Sequence, residues 1–162
     1  MNEINRLLFF LSIATSILYI GFKIFEQLVY KGIIKFQYFG ILGFELRQYI
    51  SLINIFYCAI GIILFIIFII KNKISLSKKY LLLIPSIIIS IYLIYIMINI
   101  MIQYGNSEGM GILILFFAIG TPLFLFYHIN QNYKLIFLII LCILFPVNVS
   151  LSLFEIWGLM GI

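Results

Sequence analysis

The chain contains no aspartate, and charged residues occupy only 9% of its 162 positions. The absence of aspartate excludes aspartyl intramembrane proteases, signal peptidases with paired aspartates, and lipid phosphotransferases with Asp-rich metal motifs. The sequence also lacks H-E-x-x-H, G-x-S-x-G and a Gly-rich phosphate loop ending in Lys-Ser or Lys-Thr. We therefore predict a protein that is not an enzyme, with no catalytic, cofactor-binding or metal-binding site.

Cysteine is equally scarce. Cys58 and Cys142 each lie in an apolar run, far in sequence from each other and from the single histidine. This spacing favours neither a disulfide framework nor a zinc motif. We expect both side chains to be small buried hydrophobic groups.

Hydrophobic residues make up 65% of the chain, which is far above the share found in water-soluble domains. Five apolar segments have the length of a membrane-spanning helix, which needs about 20 residues. Tyrosines near several of the segment ends support these boundaries, because amphipathic rings favour the membrane interface. We predict an all-α integral membrane protein, a single bundle of five transmembrane helices, with spans at about residues 4–22, 50–70, 80–102, 111–128 and 135–153.

The stretch KNKISLSKK, residues 71–79, predicts the orientation of the chain. Short loops rich in lysine and arginine lie on the cytoplasmic side, so Lys71, Lys73, Lys78 and Lys79 form a topology anchor. The N-terminus is then cytoplasmic and the C-terminus outside. The abundance of Ile, Phe, Tyr, Asn and Lys is typical of AT-rich coding sequence and favours a bacterial cell membrane.

The first connection contains a long aromatic segment, residues 30–44, that is too apolar to extend freely into water. Alternating polar and aromatic residues favour a β-hairpin with turns at Gly32, Gly40 and Gly43, whereas an interfacial helix fits nearly as well. Phe36, Tyr38 and Phe39 are three aromatic residues of this segment. We predict a short extramembrane loop or hairpin here, with these three side chains as the partner-binding surface.

Polar residues within the first span recur at steps of three and four: Ser12, Ser16, Tyr19, Lys23, Glu26 and Tyr30. This periodicity predicts one polar face on a helix of about 27 residues, longer than the apolar run alone. Lys23 and Glu26 should form an i, i+3 ion pair. The small-xxx-small pairs Ser12/Ser16 and Ser86/Ser90 further suggest that the first and third helices pack together.

A polar face is also predicted on the third and fifth helices. Tyr92, Tyr95, Asn99 and Gln103 share one face of the third helix, and Asn148, Ser152 and Glu155 share one face of the fifth. We interpret Asn99, Gln103, Asn148 and Glu155 as the lining of a polar cavity that could hold a cation or a proton. Interhelical hydrogen bonding is the alternative interpretation.

Two residues of the predicted fourth helix, Pro122 and His128, also carry predictions. Pro122 is predicted to kink the helix, because proline removes one backbone donor. His128 has no carboxylate or cysteine near it in sequence, and we expect it to be a solvated interfacial residue.

The sequence leaves two candidate functions for this protein. The first is a non-enzymatic accessory, binding or immunity-type protein that acts through the aromatic segment on a larger membrane complex. The alternative is a small transporter or permease subunit acting as a homo-oligomer, with the polar faces lining the path. The bilayer is a partner in either case, and the net charge of +5, spread over span ends, does not indicate nucleic acid.

Overall fold

A computed structural model describes residues 3–34, 39–71, 78–104 and 108–159, and side-chain positions for residues 3–34, 46–70, 79–99, 102 and 111–154. This part of the chain is all-helical and contains no strand. Its α-helices are α1 (Glu3–Tyr30), α2 (Phe39–Lys71), α3 (Ile84–Tyr104), α4 (Glu108–Ile129) and α5 (Leu135–Leu159), and a short 3-10 helix (Lys78–Leu83) precedes α3. All five are long and apolar enough to cross a membrane.

Helices cover the predicted apolar segments to within about six residues at each end, except at the first connection. α1 runs on to Tyr30, as the polar periodicity predicts, and covers 28 residues. α2 begins at Phe39, about eleven residues before the predicted span, and covers 33 residues.

The predicted β-hairpin is therefore wrong where the chain is described. Gly40 and Gly43 lie inside α2 rather than in turns, because a helix satisfies the backbone groups of an apolar segment without a second strand. Gly32 does form the predicted turn, with a positive φ of 72° that suits a residue without a Cβ. Residues 35–38 lie outside the described part.

α4 and α5 form the centre of the bundle. α5 contacts all four other helices, and α4 contacts α2, α3 and α5. The buried shares of their spans are 56% and 44%, against 28% or less for the others. Between them lies an aromatic and aliphatic core whose fully buried members include Phe117, Phe124, Leu141 and Phe145.

α2 and α4 form the closest helix pair, and two glycines allow it. Gly61 of α2 lies against the backbone of Phe124, and Gly120 of α4 lies against Cys58. Small residues at such crossings let backbones approach closely, which maximises packing contact between helices. The cysteine prediction is also confirmed: Cys58 is 0% exposed and Cys142 is 1% exposed.

The predicted packing of the first helix against the third is wrong. Among the described residues α1 packs on α5 and α2, and no comparable contact joins it to α3. Ser86 and Ser90 are buried, but their hydroxyls donate to the carbonyls of Leu83 and Ser86 on their own helix and 3-10 turn. The serine pairs thus mark two buried faces that do not pack against each other.

Candidate functional site

The most polar region of the described interior lies where α1, α2 and α5 meet. Asn54 of α2 and Asn148 of α5 exchange two hydrogen bonds, each 3.1 Å long. Asn54 Nδ2 also donates to Ser152 Oγ at 2.6 Å, and Asn148 Nδ2 donates to Ser16 Oγ at 3.1 Å. All four side chains are 0% exposed, so three helices are joined by bonds that no solvent reaches.

Helical periodicity explains why these residues meet. On α2, Arg47, Ser51, Asn54, Cys58 and Gly61 follow at steps of four, three, four and three, and so share one face. α1 carries the matching stripe from Ser12 to Glu26. Because consecutive helices run antiparallel, Ser16 and Asn54 come to similar depth, and Glu26 comes to the depth of Arg47.

Three charged residues extend this polar region toward the turn between α1 and α2. Lys23 Nζ lies 2.6 Å from Glu26 Oε2, which confirms the predicted i, i+3 pair, and the Arg47 guanidinium binds the other oxygen of the same carboxylate. Glu26 is 4% exposed, whereas the Lys23 and Arg47 side chains are 19% and 21% exposed. Burial costs the carboxylate its hydration, and the two cations offset part of that cost.

Tyr19 lies between the amide pair and the charges. It is fully buried, its ring is 6.0 Å from Lys23 Nζ, and its hydroxyl makes no hydrogen bond with a described residue. Buried hydroxyls normally have a partner, so an atom of this kind without one is uncommon in a protein interior. We call the set Ser16, Tyr19, Lys23, Glu26, Arg47, Asn54, Asn148 and Ser152 the polar column.

Of the two predicted cavity residues whose side chains are described, Asn148 lies in this column and Asn99 does not. Asn148 bonds to α1 and α2, and not to Asn99 of α3, which is half-buried. The side chains of Gln103 and Glu155 lie outside the described part, although α5 continues past position 155. Asn54 and Arg47 are site residues that were not predicted from the sequence, and the polar stripe on α2 is the signal that indicates them.

The other predicted site residues are placed as follows. Phe36, Tyr38 and Lys73 lie outside the described residues, and Phe39 is the first residue of α2. Lys71 ends α2, and Lys78 and Lys79 begin the 3-10 helix, where Lys79 is exposed. The structure therefore leaves both the partner surface and the topology anchor as predictions.

His128 is not solvated, contrary to the prediction: it is 0% exposed. Its ring lies 4.5 Å from Phe124, 5.4 Å from Phe9 and 5.9 Å from Tyr133, measured between centroids. The chain after α4 folds back toward α1, where Phe9 and Tyr133 stack at 3.7 Å. This contact closes over the last turn of α4, which explains why a residue at a span end is buried.

Asn5 stabilises the same contact between α1 and the α4–α5 connection through two hydrogen bonds. Its side-chain amide donates to the Tyr127 hydroxyl, and the Tyr133 hydroxyl donates to the Asn5 carbonyl at 2.9 Å. Burial raises the pKa of Tyr133 to about 12, which extends the pH range over which the phenol keeps its proton and acts as a donor. The N-terminal end of α1 is thereby held to the α4–α5 connection.

Replacing Glu26 with Gln should loosen α1 from α2, because the change leaves Lys23 and Arg47 near each other without the carboxylate between them. Breaking a fully buried ion pair costs about 3–5 kcal/mol. Both cations are partly exposed here, so we expect a smaller loss of about 1–3 kcal/mol in the free energy of unfolding. Titration of the purified protein with a denaturing detergent measures it.

Glu3→Gln provides the matched control, since Glu3 is exposed at the other end of the same helix. This variant should unfold at the same detergent concentration as the unmodified protein. Equal transitions for Glu26→Gln and Glu3→Gln would mean that the ion pairs do not fasten the two helices.

The polar column can hold α1, α2 and α5 together, and it can offer oxygen and nitrogen atoms to a polar solute at membrane depth. Among the described residues no three His, Cys, Asp or Glu side chains are close enough to hold a metal ion. Comparison with family models, with curated proteins and with solved structures finds no match to this chain.

Proposed function

We propose that this chain is a non-enzymatic accessory, binding or immunity-type protein of a bacterial cell membrane, with its N-terminus in the cytoplasm and its C-terminus outside. Its contact element is the end of the bundle formed by residues 23–49, where α1 finishes and α2 starts. The orientation is supported by the four lysines of KNKISLSKK. The lack of catalytic motifs in the sequence supports a role in binding rather than in chemistry.

The observation that carries this proposal is that Glu26 of α1 forms ion pairs with Lys23 of α1 and Arg47 of α2. The two helices would be roughly 42 and 50 Å long at 1.5 Å per residue, and a bilayer core is about 30 Å thick. Their shared end therefore has the length to project beyond the core. Glu26, held by Lys23 and Arg47, fixes the two helices in one orientation at this end.

The same end presents apolar surface. Tyr30, Ile33 and Tyr49 are 73%, 68% and 64% exposed. A rigid element with exposed aromatic side chains loses little conformational entropy on binding, and aromatic residues are enriched at protein interfaces. These features favour a protein partner, such as a larger membrane complex.

Replacing Phe36, Tyr38 and Phe39 together with Ser should abolish capture of that partner and leave the protein in the membrane. The tagged protein, at native expression in its own host, is extracted in mild detergent and its mass is measured in the native state. The unmodified protein should carry one larger polypeptide at fixed stoichiometry, and the triple variant should have lost it.

Phe10→Ser is the control, because Phe10 is an exposed aromatic residue at the opposite end of α1. It should retain the partner. An unchanged complex with the triple variant would reject the aromatic segment as the contact, and a bare monomer or homo-oligomer from every membrane preparation would reject the accessory role.

Transport is the second candidate function, and the polar column is the observation that favours it. A homo-oligomeric transporter needs polar groups at membrane depth, and Asn54, Asn148 and Tyr19 supply them. Against it stands the reciprocal bonding of the two amides, which leaves neither free to bind a solute. The accessory role therefore agrees better with the geometry.

A further inference from the structure

The outward face of α3 carries polar groups that the bundle does not cover. Tyr92 and Tyr95 are 55% and 60% exposed, although the sequence pattern favoured an inward position for their stripe. Ser86, Ser90 and Leu93 are the buried residues of the same helix. Tyr92 follows Ser90 by two residues, and Tyr95 follows Leu93 by two, which is roughly 200° around the helix axis.

These tyrosines lie at hydrocarbon depth. The span that contains them is Lys79–Asn99, of 21 residues, so its middle falls at position 89. Tyr92 and Tyr95 are then roughly 5 and 9 Å from the middle along the helix axis. Neither hydroxyl forms a hydrogen bond with a described residue, and lipid tails provide no acceptor, so exposure of this face to lipid is unfavourable.

We propose that the face of α3 formed by Ile88, Tyr92, Tyr95 and Asn99 is the interface between two copies of this chain, related by a two-fold axis along the membrane normal. All copies enter the membrane in the same orientation. Such an axis therefore places each residue of the face opposite the same residue at the same depth. α3 of one copy packs parallel to α3 of the other.

The chemistry of this face suits a second copy. Tyrosine hydroxyls and asparagine amides are donors and acceptors at once, so a tyrosine or an asparagine can bond to its own symmetry mate. The face carries no charge that would repel itself. Ile88 and Ile91 are 60% and 63% exposed beside the polar groups and supply apolar packing surface.

Cross-linking in vesicles that contain only this protein tests the contact. Tyr95→Cys should give a disulfide-linked dimer on mild oxidation, because a two-fold axis through this face brings the two sulfurs together. The native Cys58 and Cys142 are buried and should give none. Leu18→Cys is the control, since Leu18 is 69% exposed on α1, away from α3.

A second measurement removes the polar groups and keeps the shape. The triple substitution Tyr92→Phe, Tyr95→Phe and Asn99→Leu should weaken dimerisation at least tenfold, counted by single-molecule photobleaching as the protein is diluted in lipid. Tyr30→Phe with Tyr49→Phe, at exposed tyrosines outside α3, should leave dimerisation unchanged.

Three results would overturn the proposal. One is a monomer at every dilution, and another is equal cross-linking of the Tyr95→Cys and Leu18→Cys variants. The third is cross-linking of Tyr95→Cys in native membranes to a different polypeptide and not to itself. Because the vesicles hold no other protein, the first two results do not depend on the partner proposed for the α1–α2 end.

Discussion

Replacing either Gly61 or Gly120 with Ala is expected to destabilise the bundle strongly. A Cβ on Gly61 would lie 2.6 Å from the Cβ and 2.8 Å from the Cα of Phe124, and a Cβ on Gly120 would lie 2.6 Å from the Cβ of Cys58. No side-chain rotation relieves these contacts, because all three atoms are fixed by the backbone. α2 and α4 must therefore separate, and overpacking of this kind costs about 1–3 kcal/mol or more.

The buried thiols provide the measurement. Cys142 lies on α5, whereas the glycines are on α2 and α4, and it is buried in the folded protein. A thiol-reactive dye should label it faster in Gly61→Ala and Gly120→Ala, in proportion to the population of opened molecules. A denaturant titration followed by the same labelling then gives the change in free energy of unfolding.

Gly21→Ala is the matched control. A Cβ at this position meets nothing within 4 Å, so only the backbone effect remains. Alanine favours a helix over glycine by up to about 1 kcal/mol, so this variant should be as stable as the unmodified protein or more stable. If all three variants behaved alike, the close approach of α2 to α4 would not matter for stability.

The sequence predicts the individual helices of this fold better than it predicts which helices are neighbours. The number of helices and most of their limits follow from apolar length, and the extension of α1 to Tyr30 follows from a polar period that continues beyond the apolar run. Both signals are local. A helix must satisfy its own backbone in lipid, so local pattern alone is enough to identify it.

The identity of neighbouring helices is not a local property. The stripe on α5 correctly marks Asn148 as inward, but several arrangements of five helices bury that face, and Asn148 meets Asn54 rather than α3. On α3 two stripes compete, and the one with Ser86 and Ser90 is the buried one. His128 is misjudged for a similar reason: its burial depends on how the connection after it folds back.

Asn54→Leu and Asn148→Leu are expected to destabilise the protein individually and much less than additively when combined. Each single change leaves the opposite amide without its reciprocal partner at a fully buried position, at a cost of about 1–3 kcal/mol. The double variant replaces both amides with apolar groups, so the coupling energy should be about 1–2 kcal/mol. Asn99→Leu, at a half-buried amide that bonds to no described residue, should change the stability of the detergent-extracted monomer by less than about 0.5 kcal/mol.

The same variants separate the two candidate functions. If the amide pair only joins helices, the double variant should retain partner capture, because packing is restored without the polar groups. If it forms part of a transport path, the double variant should lose flux in vesicles while remaining folded, and Glu155→Gln and Asn99→Leu should reduce flux as well. If flux survives in all of these variants, the polar column is structural. If the unmodified protein shows no flux in vesicles, the accessory role is the one that agrees with the reciprocal hydrogen bonding of Asn54 and Asn148.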